Sequence, residues 1–158
     1  MSKTECLFIP EQIVSGGQTG VDRGALEAAM LLQIPHGGWC PRGRMAEDGV
    51  IPERYALTEH ASPRYKDRTR QNVLDSDATI ILFEGQLQGG TRLTHRYALQ
   101  SGKPSLPIQL DSDWCRDDVQ QWLAENRPAV LNIAGPRESN APGIQDRSMA
   151  AVLKIFAQ

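Results

Sequence analysis

A doubly wound α/β sandwich, with a mainly parallel sheet of about five strands and helices on both faces, is the fold this 158-residue sequence predicts. Three observations carry it. Short apolar or β-branched runs alternate with helical patterns of about 10 to 15 residues, which is the rhythm of βαβ units. The run "DATIILF", residues 77–83, is apolar almost throughout, as a strand covered on both faces must be. Glycine-rich turns follow three of the strands, and in a parallel sheet with right-handed crossovers such turns lie at one end. The architecture is Rossmann-like, and one domain spanning 1–158 accommodates it, since a chain of 17.5 kDa can bury a single core.

Taken in order, "EQIVSG" is a short buried strand running into glycine. From Val21 to Gln33 apolar residues recur at Val21, Ala25, Ala29 and Leu32, with Leu26 and Met30 widening the stripe, so a helix follows. "PHGGWC" predicts a second short strand. Residues 41–54, "PRGRMAEDGVIPER", are too rich in Gly, Pro and charge for regular structure, and a loop of that length suggests a functional or interfacial role. "YALTE" adds a brief extended segment. Residues 62–76 read as a polar helix with Ser62 as N-cap and Pro63 in its first turn. After the 77–83 strand, a glycine loop enters a helix that ends at Gly102 and Pro104. "SLPIQL" and "AVLNIAGP" are strands on either side of the helix "CRDDVQQWLAENR". A last helix, "GIQDRSMAAVLKIFAQ", turns Ile144, Met149, Val152 and Phe156 inward.

Charge and composition exclude some partners. Seventeen Lys and Arg against nineteen Asp and Glu give a net charge of −2, too little positive field to gather duplex nucleic acid through its phosphates. "MSKTECLFIPEQIV" has no run suited to a signal peptide, and no stretch approaches the roughly 18 apolar residues of a membrane span, so a cytoplasmic protein is expected. Cys6, Cys40 and Cys115 are scattered and odd in number, which fits reduced thiols.

In a doubly wound sheet, ligands bind beyond the carboxyl ends of the strands, where the strand order reverses. Three loops therefore carry the interest: 15–22, 84–94 and 135–143. In the first, Gly16, Gly17 and Gly20 let a ligand approach the backbone. The amides at the helix start suit a phosphate, with Gln18 beside them and Ser15 and Thr19 as hydroxyl donors. Asp22 would repel a nearby anion and reads as a cap, or as an acceptor for a ligand hydroxyl or ring N–H. A bland reading, a glycine turn packed for closeness alone, stands beside this one, because the stretch is neither G-x-G-x-x-G nor a Walker loop. In the second loop, Gly89, Gly90, Thr91 and Thr94 offer another set of amides and hydroxyls, expected to face the same crevice from an adjacent strand end. Arg68 would suit a phosphate as a bidentate partner, near Asn72 on the same helix, while Arg70 reads equally well as a solvated face. Arg137, Glu138, Ser139 and Asn140 either hold the ligand or structure a turn. His36, Cys40 and His60 lack paired metal-ligand spacing, and Trp39, Trp114 and Trp122 are read first as packing residues.

The blocks "SGGQTGVDRGALEAA", "IPHGGWCPRGRMAEDGVIPERY", "RTRQNVLDSDATIIL", "GGTRLT" and "NIAGPRESNAPGI" together closely resemble the molybdenum carrier family, bacterial relatives of molybdenum cofactor carrier proteins. That family looks like a branch of a Rossmann superfamily that also holds lysine-decarboxylase-like nucleotide phosphoribohydrolases and the DNA-processing protein A type. The resemblance implies a homo-oligomer, a tetramer, that binds molybdenum cofactor (molybdopterin), a phosphorylated pterin, and passes it intact to molybdoenzymes. Its cofactor-binding residues would be Gly16, Gly17, Gln18, Thr19, Gly20, Asp22, Arg68, Asn72, Gly89, Gly90, Thr91, Thr94, Arg137 and Ser139, with no resident metal and no catalytic group.

The phosphoribohydrolases carry an Arg on the helix before the central strand, Ala-Asp-Ala entering that strand, and a Pro-Gly-Gly-x-Gly-Thr loop closely followed by a catalytic Glu. Here Arg68, Asp77-Ala78 and Gly90-Thr91 match, but the proline is missing and Leu93 or Thr94 stands where the Glu would be. Neither side chain exchanges a proton near neutral pH, which argues against glycosidic cleavage by that route. Glu84 lies on the same loop and keeps a nucleoside monophosphate hydrolase, or another nucleotide-binding enzyme, as the alternative. Single-stranded DNA binding is the third reading.

Overall fold

The structure is a computed structural model and describes residues 6–158; the first five residues of the stretch read for a signal peptide lie outside them. In chain order the elements are β1 (Gln12–Val14), α1 (Val21–Leu32), β2 (His36–Gly37), β3 (Trp39–Cys40), β4 (Met45–Ala46), β5 (Gly49–Val50), β6 (Thr58–Glu59), α2 (Tyr65–Asp75), β7 (Ala78–Phe83), α3 (Gly89–Ser101), β8 (Ser105–Gln109), α4 (Arg116–Asn126), β9 (Val130–Ala134) and α5 (Ile144–Phe156), with a 3₁₀ turn at Glu138–Asn140. The doubly wound α/β expectation holds. Five strands form one sheet in the order β2-β1-β9-β7-β8, and every pairing in it is parallel.

That order places the site. The last strand, β9, sits between β1 and β7, so counting from β9 the sheet reads third, second, first, fourth, fifth. This is the five-strand Rossmann order with the chain opened at a different loop. The reversal of strand order, where a crevice must open, falls between β9 and β7. The corners after β1 and β7 are consequently one strand apart rather than adjacent, a correction to the expectation above, and the β9 loop lies between them.

β7 is buried at all six positions, as its apolar run requires. Ile13, Ile80, Leu82, Leu131 and Ile133 from the strands meet Val21, Ala25, Ala29, Ile144, Val152 and Phe156 from the helices in the main core. Each fully buried large aliphatic there contributes about 1.5–3 kcal/mol. α1 packs along α5, and α5 against α4, while α2 packs against α3.

Three local readings need revision. "PHGGWC" splits at Gly38 into β2, which joins the main sheet, and β3, which pairs with β6. Residues 41–54 are not structureless: β4 and β5 form a small antiparallel hairpin. Ala46, Ile51 and Tyr55 from this region bury against Leu26 and Cys40 in a second small core, so apolar side chains spaced among the polar ones anchor the loop. Ser62 is not the N-cap of α2, because the helix starts after Arg64; its hydroxyl instead accepts the Arg64 amide at 3.2 Å and donates to Asp67 at 2.5 Å. Among the described residues no helix is long and apolar enough to cross a membrane.

Candidate functional site

A cavity of about 520 Å³ opens at the strand reversal, within the size range of small-molecule sites. All three strand-following loops contribute to its wall: Gln18 and Asp22 after β1, Glu84 and 88–91 after β7, and 135–137 with Asn140 after β9. α2 closes one side with Tyr65, Lys66 and Arg68.

The corner after β1 is organised by its own side chains. Gln18 donates its amide to Asp22 Oδ2 at 3.1 Å, Thr19 donates its amide to Gln18 Oε1 at 3.0 Å, and Val21, the first residue of α1, donates to the carbonyl of Pro136 at 3.1 Å. Gly20, at φ 81°, allows that last approach, since a Cβ there would collide with the Pro136 oxygen. The expected hydroxyl donors are also engaged. Ser15 Oγ donates to the Asp22 carbonyl at 2.9 Å, while Thr19 Oγ1 donates to Glu47 and accepts the Glu138 amide at 3.1 Å. The expectation that this corner offers open amides and hydroxyls to an anion is thus corrected at Gln18, Thr19, Val21 and Ser15. The capping is physically reasonable, because unpaired backbone donors in a buried turn would each cost about 1–3 kcal/mol.

α3, like α1, begins with no side-chain cap, but where Val21 at the start of α1 donates to Pro136, among the described residues nothing accepts the amides of Gly89 and Gly90. These donors lie at the positive end of a 13-residue helix and line the cavity, where they can receive an anion. Thr91 and Thr94 line it too, although Thr94 Oγ1 donates back to the Gly90 carbonyl at 2.9 Å.

Arg68 is 9% exposed and also lines the cavity. Its Nη1 donates to Thr69 Oγ1 at 2.7 Å and its Nη2 lies 3.8 Å from Asp22 Oδ2. Gly16 makes room for it: a Cβ there would stand 2.6 Å from the guanidinium carbon. Two cations approach Tyr65, with the Arg68 and Arg137 guanidinium carbons 5.6 and 5.5 Å from its ring centre. With Lys66, this side of the cavity carries three basic side chains.

The two carboxylates lining the cavity are both engaged. Burial pushes the Asp22 carboxyl up from its ordinary value, against the opposing pull of Arg68, the Gln18 amide and Arg23. Glu84 is gripped through both oxygens by Arg147, at 2.8 and 2.6 Å. Leu93 and Thr94, either of which stands where the hydrolase Glu was expected, are both part of the wall.

Other predicted residues lie elsewhere. Asn72 clamps the backbone of Trp39, accepting its amide at 2.8 Å and donating to its carbonyl at 3.0 Å, and is outside the cavity wall. Ser139 is tied to Glu47, with its amide at 3.1 Å and its hydroxyl at 2.5 Å. Gly16, Gly17, Thr19 and Gly20 do not line the cavity. The 41–54 loop does not line the cavity either; it braces the first corner through Glu47 and through Asp48, whose carboxylate holds Arg23 at 2.5 and 2.8 Å. Cys40 is buried in the small core, which pushes its thiol up, and His36 and His60 accept the amides of Ala56 and Ser62. Tyr65 and Lys66 were not anticipated. Tyr65 had a signal in its spacing, three residues before Arg68 on a polar helix, which puts the two on one face; Lys66, two residues before Arg68, had none.

Fold and cavity together define a Rossmann-type α/β domain with a crevice of small-molecule size at the strand reversal, its chain opened at an unusual loop. The chain belongs to the circularly permutated YpsA SLOG family, which matches residues 13–156. It is also similar to a solved crystal structure described as "Putative molybdenum carrier protein" from Syntrophus aciditrophicus SB, with 43% identity over 99% of this chain and 100% of that one and a TM-score of 0.92. No curated protein matches the chain. The permutation in the family's description agrees with the strand order above, in which β9 takes the place of the first strand.

Proposed function

We propose that the protein binds a phosphorylated pterin, molybdenum cofactor, in the crevice between β9 and β7 and carries it without transforming it. The observation that supports this most is the pairing of a rich set of donors with two engaged carboxylates. The free amides of Gly89 and Gly90, the Thr91 hydroxyl side of α3, and the basic groups of Lys66, Arg68 and Arg137 all face one cavity. A phosphate belongs at the α3 end, where dipole and amides act together. The description of the 43% identical relative supports molybdenum as the element concerned. Gln18, Asp22, Arg68, Gly89, Gly90, Thr91, Thr94 and Arg137 make up the proposed wall, and Gly16, Gly17, Thr19, Gly20, Asn72 and Ser139 support it. We extend the proposal to a cytoplasmic homo-oligomer, a tetramer, that delivers to molybdoenzymes.

The hydrolase reading requires a free carboxylate near Gly90 and Thr91. Glu84 lines the cavity, but the Arg147 grip leaves it poorly placed to act as an acid or base. Incubation with AMP separates the two functions. The carrier releases no adenine; adenine release that disappears in Arg68→Ala would replace it with the hydrolase.

A further inference from the structure

Among the described residues Tyr65 is the one aromatic side chain in the cavity wall. It opens α2 and is half-buried, and its hydroxyl makes no hydrogen bond with the described residues. What the ring meets is charge. The guanidinium carbons of Arg68, three residues further along the same helix, and of Arg137, on the loop after β9, lie 5.6 and 5.5 Å from its centre. Both distances are within reach of the attraction between a cation and the electron-rich face of an aromatic ring.

The two arginines differ in what else holds them. Arg68 is buried, its Nη1 donates to Thr69 Oγ1 at 2.7 Å, and its Nη2 has the Asp22 carboxylate 3.8 Å away. Arg137 has its backbone fixed instead: its carbonyl accepts the Asn140 amide at 3.1 Å, and the next amide, that of Glu138, goes to Thr19 Oγ1 at 3.1 Å. Its side chain is another matter. Among the described residues the Arg137 guanidinium makes no hydrogen bond and no ion pair, so the Tyr65 ring is the contact that sets its place. That contact joins two walls of the cavity, α2 and the β9 loop.

An arginine side chain has many rotamers, and freezing one as a ligand arrives costs about two- to tenfold in affinity. A ring that already holds the guanidinium removes that cost in advance. Two positive charges gathered at one ring also repel each other, and an anion entering beside them relieves the repulsion. The N–H donors of Arg137 remain free to receive it.

We infer that Tyr65 is a positioning residue: its ring, and not its hydroxyl, holds Arg137 across the crevice and keeps the guanidinium ready for the anionic part of the ligand. This rests on the proposed function for the presence of a phosphorylated ligand, and it adds what fixes the place of Arg137.

Tyr65→Phe keeps the ring, and Tyr65→Leu removes it. These variants, Arg137→Ala and the double variant Tyr65→Leu/Arg137→Ala are titrated with molybdenum cofactor, released anaerobically from a molybdoenzyme, and with AMP. For whichever probe the wild type binds, we expect Tyr65→Phe to stay within about twofold, Tyr65→Leu to lose about fivefold and Arg137→Ala about tenfold. The double variant should lose clearly less than the product of the two single losses, because both remove one device. In the free protein, NMR should show the Arg137 side-chain protons shifted upfield by the ring in wild type and Tyr65→Phe, and unshifted in Tyr65→Leu. A Tyr65→Phe loss equal to that of Tyr65→Leu, fully multiplicative losses, or no loss in Arg137→Ala overturns the inference while leaving the proposed function intact. Wild-type binding of AMP but not of cofactor overturns the proposed function, with Tyr65 then judged on AMP. Binding of neither overturns both. If Tyr65→Leu does not fold, the wild-type spectrum decides, and unshifted Arg137 protons there overturn the inference.

Discussion

Gly16 and Arg68 compete for one small volume: the Arg68 guanidinium carbon lies 2.6 Å from where a Cβ on Gly16 would stand. A glycine at the end of β1 thereby lets a side chain from α2 reach the crevice. Gly16→Ala should push the guanidinium out at little cost in stability, because the atoms it meets are the far end of a flexible side chain beside an open cavity. Ligand affinity should fall by a larger factor than the stability loss explains. Urea unfolding and ligand titration on the same preparation check this; full affinity in the variant would show that Arg68 is not needed where it lies.

The α3 corner makes a second prediction. Nothing lies within 4 Å of a Cβ built on Gly90, so Gly90→Ala keeps the amide and should raise stability by about 1 kcal/mol through helix propensity. Gly90→Pro removes the N–H. Affinity for a phosphorylated ligand should survive in the first variant and drop about tenfold in the second. Isothermal titration of the two variants side by side provides the comparison.

Asn72 should behave as a structural residue. Its two hydrogen bonds hold Trp39 of β3 against α2 and do not reach the cavity. Asn72→Ala should destabilise the protein by about 2–3 kcal/mol, since it strands a backbone amide and a carbonyl. Affinity per folded molecule should remain that of the wild type, measured by titration well below the melting temperature.

Glu47 joins the 41–54 loop to the crevice loops through Thr19 and Ser139. Burial raises its carboxyl, but the hydrogen bonds from Ser139 and Thr19 together outweigh that and hold it below its ordinary value of 4.5. A carboxyl lowered by folding stabilises the folded state above its unfolded pKa, and that contribution is lost as the pH falls through the lower folded value. Glu47 is exposed, so the effect is modest, about 1 kcal/mol. Glu47→Gln should be less stable than wild type at pH 7, with the gap closing below pH 4.5 as the wild-type carboxyl is protonated. Denaturant melts of the pair between pH 7 and pH 3 measure it; a gap independent of pH would contradict the assignment.

The layout of this fold was legible because its signals are local. The apolar run of β7, the helical stripe from Val21 and the glycines after β1, β7 and β9 each report on a few residues, and the parallel sheet follows from their alternation. The place of β9 was not legible, because a permuted strand order leaves no mark on local periodicity; only the pairings of Ile13 with Leu131 and of Ile80 with Ile133 reveal it. The site was half readable for a related reason. Gly89 and Gly90 were found by residue type and position after a strand, and Arg68 by its type on the helix before β7. Whether an amide is free depends on long-range partners, and Pro136 and Glu47, distant in sequence, occupy the donors of the first corner. Asn72 carried the right chemistry on the right helix and proved to face β3 instead.

The account rests on the crevice between β9 and β7 holding a phosphorylated pterin. Protein purified anaerobically from cells that make molybdenum cofactor should be denatured and its released small molecules oxidised and examined for pterin fluorescence. We predict a fluorescent phosphorylated pterin that is present with the wild-type protein and depleted with Gly90→Pro. A purine nucleotide in its place, with no pterin from the same preparation, would contradict the account.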